Sequence, residues 1–529
     1  MAKPVPCLTS RLLSLAAAAL LAACASAGPE RDGSGGAGAG TGGGSGGAAS
    51  ASGGGPGSGG SSGSGGSPGS GGAAGSGGAP GSGGGPSGSG GAGTGGGPGS
   101  GSGGAASGGS SNPGTGGRGG ASGGGRGGSP SAGGGGSAGS GVGAGLGGGT
   151  GAGGASSGTA SPENGGASCN VTSGALKKNN KLPNPFAMHD GTLITTKAEW
   201  RCRRNEILKD LEKYEIGPKQ APPTVQATLS GKMLSVKVTT SSGSLTLTST
   251  ISGSGSCVVI GMNSASSLVS GCTQVPFSHD QVVTYTSSST QTMSDPFYKV
   301  YPSLYGKIGN YSAWSWGISR LIDGLEQVKA ELNIDTTKIA THGCSYAGKM
   351  SLFAGALDER VALTVVQESG GGGINSWRTS QDFVTRTGTS IEKIDNTNFG
   401  WFMSSMKSLD PYSLPHDHHE LVAMIAPRAT IILGNADYDW LGDESGYKST
   451  VAAIEVWKAL GVPDHIGYDF TSGHSHCQAA ASQTASVKTF VDRYLKGGTG
   501  STNVAIKPTS TKFNLDTAGV IDWTTPTLQ

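Results

Sequence analysis

The stretch that decides the fold is Thr341-His342-Gly343-Cys344-Ser345-Tyr346-Ala347-Gly348-Lys349. A short β-prone run, Lys338-Ile339-Ala340, precedes it, and the small and apolar residues 350–357 that follow can form a helix. A strand, a sharp turn with serine at its apex and a helix form a nucleophile elbow, which exposes the serine hydroxyl. The start of the helix also favours the negative charge that develops in acyl transfer. We therefore expect Ser345 to be a nucleophile.

This elbow differs in one position from the usual pattern G-x-S-x-G. Its second glycine, Gly348, comes one residue late. A serine between small residues is more often an ordinary turn, so the interpretation depends on finding a base and an acid elsewhere in the chain.

Strands and helices alternate around the elbow. Strands are predicted at 257–261, 338–342, 361–366, 430–433 and 465–470, and helices at 318–332, 346–357 and 450–460. A helix over 195–214 and antiparallel strands within 224–251 precede them. This alternation predicts an α/β-hydrolase fold, with a mostly parallel central sheet covered by helices on both faces.

The base and the acid should follow the nucleophile at the ends of later strands, in the order serine, acid, histidine. The loop after 465–470 carries His474 and His476, and the order alone does not choose between them. Glu368 follows one strand, and Asp437 and Asp439 follow the next. The common hydrolase position favours Asp437 or Asp439.

The first residues form an export signal. Lys3 and Arg11 flank the apolar run 12–23, which is too short to span a bilayer. This signal peptide, residues 1–23, ends at Leu21-Ala22-Ala23-Cys24, which resembles a bacterial lipobox, so we expect lipidation of Cys24. Cleavage after residue 27 without a lipid is the alternative. The protein is thus expected at the cell surface or as an outer-membrane lipoprotein, or secreted if it is not lipidated.

Residues 24–166 are almost entirely glycine, serine and alanine. Such a segment cannot bury enough apolar surface to offset its ordering entropy, so it is interpreted as a disordered tether. The catalytic domain is then 167–529, which we expect to be monomeric. The net charge of +2 gives no reason to expect nucleic acid as a partner, and membrane contact should occur only through the lipid.

Several stretches from about 182 to 495 resemble the glucuronoyl esterase family, carbohydrate esterase family 15. They are Leu182-Pro183-Asn184-Pro185-Phe186, residues 195–203, the elbow Gly343–Lys349, Gln367-Glu368-Ser369-Gly370, Ser376-Trp377-Arg378, Asp417-His418-His419, Ala426-Pro427-Arg428, Asp437–Gly442 and Gly473-His474-Ser475-His476-Cys477. The resemblance implies a Ser345, His476 and Glu368 triad, although some bacterial members use an aspartate on the later strand. The Tyr346 backbone N–H should point into the oxyanion hole.

The resemblance also implies roles for the cysteines and for the sugar site. It implies disulfides Cys344–Cys477 and Cys169–Cys202, which leaves Cys257–Cys272 as the third. Lys349 and Trp440 match family residues that contact the glucuronate. The residue after the nucleophile is usually arginine, but here it is Tyr346, and family glutamine and glutamate positions fall near Thr389 and Thr397 or Asn398. A less charged sugar pocket is therefore expected.

The resemblance thus implies an esterase for plant cell-wall glucuronoxylan, which cleaves esters between 4-O-methyl-glucuronate and lignin alcohols. An esterase for acetyl or methyl esters of other polysaccharides is one alternative, and a surface polysaccharide-binding protein with weak catalysis is another. The run 416–420, His-Asp-His-His-Glu, has the residue types of a metal site, but we interpret it as a helix start. No metal and no cofactor are expected.

Overall fold

The computed structural model describes residues 163–164 and 169–529. The predicted signal peptide, the lipidation site at Cys24 and nearly all of the predicted tether lie outside the described residues. In the part of the chain that is described, no helix has the length and apolar character needed to cross a membrane.

The first regular elements of the described residues are a capped helix and a small antiparallel sheet. Helix α1 (Lys197–Tyr214) starts at Thr196, whose hydroxyl accepts from the Glu199 N–H while the Glu199 carboxylate accepts from the Thr196 N–H. Strands β1 (Thr224–Ser230), β2 (Met233–Thr240) and β3 (Gly243–Thr250) then pair in antiparallel fashion. The helix and the strands predicted for this region are confirmed.

Seven strands form the central sheet of the described residues, and every neighbouring pair in it is parallel. They are β4 (Val258–Met262), β5 (Thr273–Phe277), β6 (Ile339–Cys344), β7 (Val361–Gln367), β8 (Ala429–Leu433), β9 (Ile466–Asp469) and β10 (Ala505–Ile506). Their spatial order is β10-β9-β8-β7-β6-β4-β5. The sheet confirms the predicted α/β-hydrolase class.

Helices cover both faces of this sheet. The α-helices after α1 are α2 (Pro296–Val300), α3 (Asn310–Leu332), α4 (Tyr346–Leu357), α5 (Trp377–Thr387), α6 (His418–Ala423), α7 (Asp443–Ala459) and α8 (Ala481–Tyr494). Successive strand residues point to opposite faces, so Val366 packs in the core shared with α3, α4 and α7, while Val365 packs in the core shared with α8. The strand ends that face the same way, after β6, β7, β8 and β9, carry the predicted site residues.

Candidate active site

Ser345 occupies a strained turn between β6 and α4. Its backbone has φ 61° and ψ −129°, a region that residues other than glycine rarely adopt. The Ser345 N–H donates to the Gln367 carbonyl of the neighbouring strand at 3.0 Å, which holds the turn against β7. Strained backbone of this kind is concentrated at functional sites, and it matches the nucleophile elbow expected from the sequence.

The positions of the two elbow glycines follow from close backbone contacts. A methyl group at Gly348 would lie 2.4 Å from the carbonyl oxygen of Gln367, and one at Gly343 would lie 2.2 Å from the carbonyl oxygen of Ala347. Because α4 lies so close to β7, glycine is needed at 348, whereas alanine fits at 347. Gly348 is therefore compatible with a nucleophile elbow, although it comes one residue later than in the pattern G-x-S-x-G.

His476 and Glu368 form a directly bonded pair. His476 Nδ1 lies 2.6 Å from Glu368 Oε2, and the same oxygen accepts from the Cys477 N–H at 3.2 Å. The Glu368 side chain is completely buried, whereas His476 is 16% exposed. A buried carboxylate on Nδ1 orients the imidazole so that its other nitrogen can exchange protons with a nucleophile.

The alternative acids and the alternative base have other partners. Asp437 Oδ2 accepts from the Gly473 N–H at 2.6 Å, and Asp439 pairs with Lys512. His474 Nε2 lies 2.9 Å from the Thr471 carbonyl, and its Nδ1 is 3.8 Å from Glu368, beyond hydrogen-bond reach. The geometry thus joins Glu368 to His476, while Asp437 and His474 brace the loop that carries the histidine.

Glu368 also contacts a series of hydrogen-bonded polar side chains. The Gln367 amide donates to the Gln478 carbonyl at 2.5 Å and approaches Glu368 Oε1 at 3.4 Å. The Gln367 side-chain oxygen lies 3.3 Å from His342 Nε2, and Ser266 Oγ lies 2.8 Å from His342 Nδ1. Burial lowers the pKa of His342 to about 4, so this imidazole is neutral near pH 7 and adds no competing charge beside Glu368.

A disulfide ties the elbow to the histidine loop. The structure joins Cys344, next to Ser345, to Cys477, next to His476. The other two disulfides are Cys169–Cys202 and Cys257–Cys272, so the structure contains both pairs that the resemblance implies and the third pair that they leave. Because the bond lies between the nucleophile and the base, it limits their relative motion.

A second charged pair lies one helical turn beyond Ser345. Lys349 of α4 is buried and forms an ion pair with Glu392, and its Nζ lies 5.2 Å from the centre of the Trp401 ring. Thr397 Oγ1 donates to Glu392 Oε1 at 2.6 Å. The sequence did not single out Glu392, because this carboxylate comes from a loop with no regular pattern.

An aromatic side chain, Trp440, lies next to the His476 imidazole. Trp440 is 42% exposed, and the centre of its ring lies 4.7 Å from that of His476 in an edge-on arrangement. Tyr438 supports the loop, because its hydroxyl accepts from the His476 N–H at 3.0 Å. An exposed tryptophan beside a catalytic-type histidine offers an apolar surface on which a ring-shaped ligand can pack.

The sequence comparisons identify the family. Residues 226–461 match the glucuronyl esterase family of fungi. The chain is 36% identical over 377 residues to the 4-O-methyl-glucuronoyl methylesterase of Hypocrea jecorina, which spans 69% of this chain and 80% of that protein. The chain belongs to the glucuronoyl esterase family. The enzyme of the same name from Thermothelomyces thermophilus is 37% identical over 348 residues, which are 62% of this chain and 85% of that protein.

Solved glucuronoyl esterase structures share the fold. The Hypocrea jecorina catalytic domain superposes with a TM-score of 0.63 at 34% identity, over 67% of this chain and 98% of that one. A glucuronoyl esterase mutant from Sporotrichum thermophile, in complex with methyl 4-O-methyl-β-D-glucopyranuronate, gives a TM-score of 0.61 at 34% identity over 67% and 98%. A bacterial family 15 enzyme from Caldicellulosiruptor kristjansonii gives 0.55 at 26% identity over 64% and 97%.

The Tyr346 side chain of this glucuronoyl esterase family member lies in an aromatic group beside the elbow. The centre of its ring is 4.5 Å from that of Tyr285 and 5.9 Å from that of Trp401. Its hydroxyl accepts from Asn263 Nδ2 at 2.5 Å and lies 3.2 Å from His279 Nε2. Burial raises the pKa of Tyr346 to about 12, so the phenol is neutral and carries none of the charge of an arginine.

The histidine run at 416–420 is a buried structural cluster. His416 and His418 contact the two oxygens of Glu215 at 2.8 and 2.9 Å, and His419 Nε2 lies 2.8 Å from the Pro183 carbonyl. Asp417 caps α6 by accepting from the His418 N–H. Among the described residues, the only grouping with metal-ligand spacing is Cys344, His476 and Cys477, and its cysteines are joined in the disulfide.

Proposed function

We propose that this protein hydrolyses esters of 4-O-methyl-D-glucuronate, both the methyl ester and the esters that join glucuronoxylan to lignin alcohols. The observation that carries the proposal is the 2.6 Å contact of His476 with Glu368, beside a serine elbow tied to the histidine loop. The names of the relatives and the ligand of the solved complex, methyl 4-O-methyl-β-D-glucopyranuronate, support this substrate class.

The reaction proceeds through an acyl-enzyme. Ser345 Oγ attacks the C6 carbonyl carbon as its proton passes to His476 Nε2, and Glu368 stabilises the imidazolium through Nδ1. The tetrahedral intermediate collapses, and the alcohol leaves with the proton from His476. Water, activated by the same histidine, then cleaves the glucuronoyl ester on Ser345. The backbone N–H of Tyr346, the first of α4, has no partner within the helix and donates to the oxyanion.

Lys349 and Trp440 bind the sugar in this proposal. The Lys349 ammonium and the Glu392 carboxylate together offer donors and acceptors to ring hydroxyls, and the exposed face of Trp440 packs on the ring. The charges of the pair neutralise each other, so they favour a hydroxylated ligand over a strongly ionic one. This set favours a uronate ester over a simple acetyl ester, because an acetyl group has no hydroxyls to engage it.

The test is a rate comparison between the wild type and Ser345→Ala. Wild type should hydrolyse methyl 4-O-methyl-glucuronate, and the variant should lose the activity while its thermal unfolding is unchanged. The matched control is Ser405→Ala, which changes an exposed serine that is distant in sequence from Ser345. Acetyl-xylan hydrolysis without uronate-ester hydrolysis would favour the other esterase. Equal rates for wild type and Ser345→Ala would leave only polysaccharide binding.

The proposed organisation is a signal peptide over 1–23, a tether over 24–166 and the catalytic domain over 167–529, which acts as a monomer. The lipobox-like residues before Cys24 support a bacterial lipoprotein held at the cell surface, with the enzyme reaching insoluble plant cell wall through its tether. Stable anchoring needs more than one acyl chain, which lipoprotein modification supplies. Cys24→Ser should move the protein from the membrane fraction to the soluble fraction, and unchanged partitioning would refute the anchor.

A further inference from the structure

The side chain of Asn263 lies at the strand end next to the nucleophile. Strand β4 pairs with β6 in parallel, with Gly261 opposite His342, so the residues that follow both strands emerge at one edge of the sheet. Asn263 is the first residue after β4, and Ser345 is the first after β6. In α/β-hydrolases, the loop at this strand end is where a second oxyanion donor is found.

The backbone of Asn263 cannot fill that role, because its N–H donates to the Phe277 carbonyl at 2.8 Å. Its side-chain amide is held differently. Nδ2 donates one hydrogen to the Tyr346 hydroxyl at 2.5 Å, and an amide nitrogen has a second hydrogen to donate. Asn263 is exposed at the open edge of the sheet, with its backbone in the left-handed region at φ 69°.

His279, with Asp280 beside it, positions the Tyr346 hydroxyl that holds the amide. His279 is buried, its Nδ1 lies 2.8 Å from Asp280 Oδ1, and its Nε2 lies 3.2 Å from the Tyr346 hydroxyl. Burial lowers the pKa of His279, so the ring is neutral. The tautomer that carries its proton on Nδ1, the nitrogen next to Asp280, leaves Nε2 to accept the phenol proton, and the phenol oxygen then accepts from Asn263.

We propose that the Asn263 side-chain amide is an oxyanion donor of this enzyme, with Tyr346 and His279 as its positioning residues. The inference rests on the proposed hydrolysis of esters at Ser345. When Ser345 Oγ bonds to the carbonyl carbon, the π electrons move to the carbonyl oxygen, and the free Nδ2–H donates to that oxygen. The hydrogen bond weakens again when the carbonyl re-forms and the alcohol leaves.

The neutral Tyr346 phenol cannot supply the charge of the usual arginine. In this arrangement it contributes instead by positioning the Asn263 amide. A neutral amide fixed by a phenol is preorganised, so it loses little orientation free energy during the reaction. In the tautomer with its proton on Nδ1, His279 takes the phenol proton at Nε2, so the hydroxyl has no hydrogen left for the substrate. Tyr346 therefore contributes its backbone N–H directly and its side chain through Asn263.

The experiment compares Asn263→Ala, Tyr346→Phe and their double variant with wild type, with Ser267→Ala from the same loop as the control. Two readouts are measured: kcat and KM on methyl 4-O-methyl-glucuronate, and the rate at which a fluorophosphonate labels Ser345. Asn263→Ala should lower both kcat and the labelling rate about 100-fold while KM stays within about threefold, as for loss of one oxyanion donor.

Tyr346→Phe should lose part of the rate, and the double variant should be no slower than Asn263→Ala, because both changes remove one interaction. Asn263→Ala with kcat and labelling within threefold of wild type would overturn the proposal, as would fully multiplicative effects in the double variant. If wild type failed on the glucuronate ester, the proposed function would fall, but the labelling rates would still decide the role of Asn263.

Discussion

Glu392 forms an ion pair with Lys349 across 43 positions of sequence, joining a loop without regular structure to the helix of the nucleophile. Lys349 is buried, and a buried ammonium is stable only with a partner charge. Thr397 orients the carboxylate by donating to its other oxygen. The pair therefore ties this loop to α4, one helical turn from Ser345.

Glu392→Gln should weaken substrate binding more than it slows the reaction. The amide keeps the size of the side chain but leaves the Lys349 ammonium without its counter-charge, so the ring hydroxyls meet a less ordered group. We expect KM for methyl 4-O-methyl-glucuronate to rise about tenfold with kcat within about threefold. Asp395→Asn, from the neighbouring exposed pair with Lys393, is the control and should change neither constant. A loss confined to kcat would contradict the sugar-binding role.

Glu368→Gln should abolish most of the activity, because the amide cannot stabilise an imidazolium and permits the wrong imidazole tautomer. A fall in kcat of about 10³- to 10⁴-fold is expected, as in other serine triads. Asp437→Asn is the matched variant: its side-chain oxygen can still accept from Gly473, so kcat should stay within about threefold. The reverse result would assign the acid to the later strand.

Removal of Cys344–Cys477 should lower both stability and rate. The bond spans 133 residues, so the double alanine variant should lose about 4–5 kcal/mol of unfolding free energy in the chain-entropy model. Because Ser345 and His476 are then free to shift, kcat should fall about tenfold or more. The control is the Cys257–Cys272 pair, which spans 15 residues. Its removal should cost about 3 kcal/mol and leave kcat unchanged.

Asp443 should make the folded protein less stable as the pH rises towards 7. Its carboxyl is buried, one oxygen has no hydrogen-bond partner, and burial together with the charge of Glu368 raises its pKa from 3.8 to about 7. The native state therefore keeps a proton that the unfolded chain releases. This carboxyl contributes fully to stability below pH 3.8, and the contribution is lost as pH rises towards 7.

Asp443→Asn should accordingly match wild type near pH 4 and exceed it at pH 7. The difference in unfolding free energy should grow by up to about 1.4 kcal/mol per pH unit between the two values. Denaturant melts at several pH values measure it, with the exposed Asp516→Asn as the control. A constant difference across this range would show that Asp443 keeps an ordinary pKa in the folded protein.

Most of the fold could be predicted because its elements carry strong local patterns. Strands β7 and β8 are mostly apolar, the elbow strand leads directly into the serine turn, and α1 has a capping box at Thr196. Helix α5 was missed because most of its residues are polar: Arg378 pairs with Asp417, and Trp377, which packs in the main core, donates to Glu215. Helix α8 was also missed, because its buried face includes the polar Gln483 and Ser486 and its apolar pattern is therefore short.

The site could be predicted only in part, because some of its residues lie in loops that no local pattern positions. Residues that directly follow strands, such as Ser345 and Glu368, are placed by the sheet. Trp401 carried no signal for the site: it is half-buried and lies beside Lys349, since the loop at 398–401 is held by Thr286 from a distant loop. Asn263 carried no signal, because an asparagine after a strand is common in turns.

The sequence by itself determined the strand-turn-helix at Ser345, the parallel sheet and the order of the nucleophile, acids and histidines, because these depend on local pattern and chain order. Only the tertiary structure decided which carboxylate contacts His476. It turns Glu368 inward with φ 44° and turns Asp437 towards Gly473. The same holds for Glu392 and Asn263, whose partners lie far away in sequence. The path of a loop depends on long-range packing that no local pattern encodes.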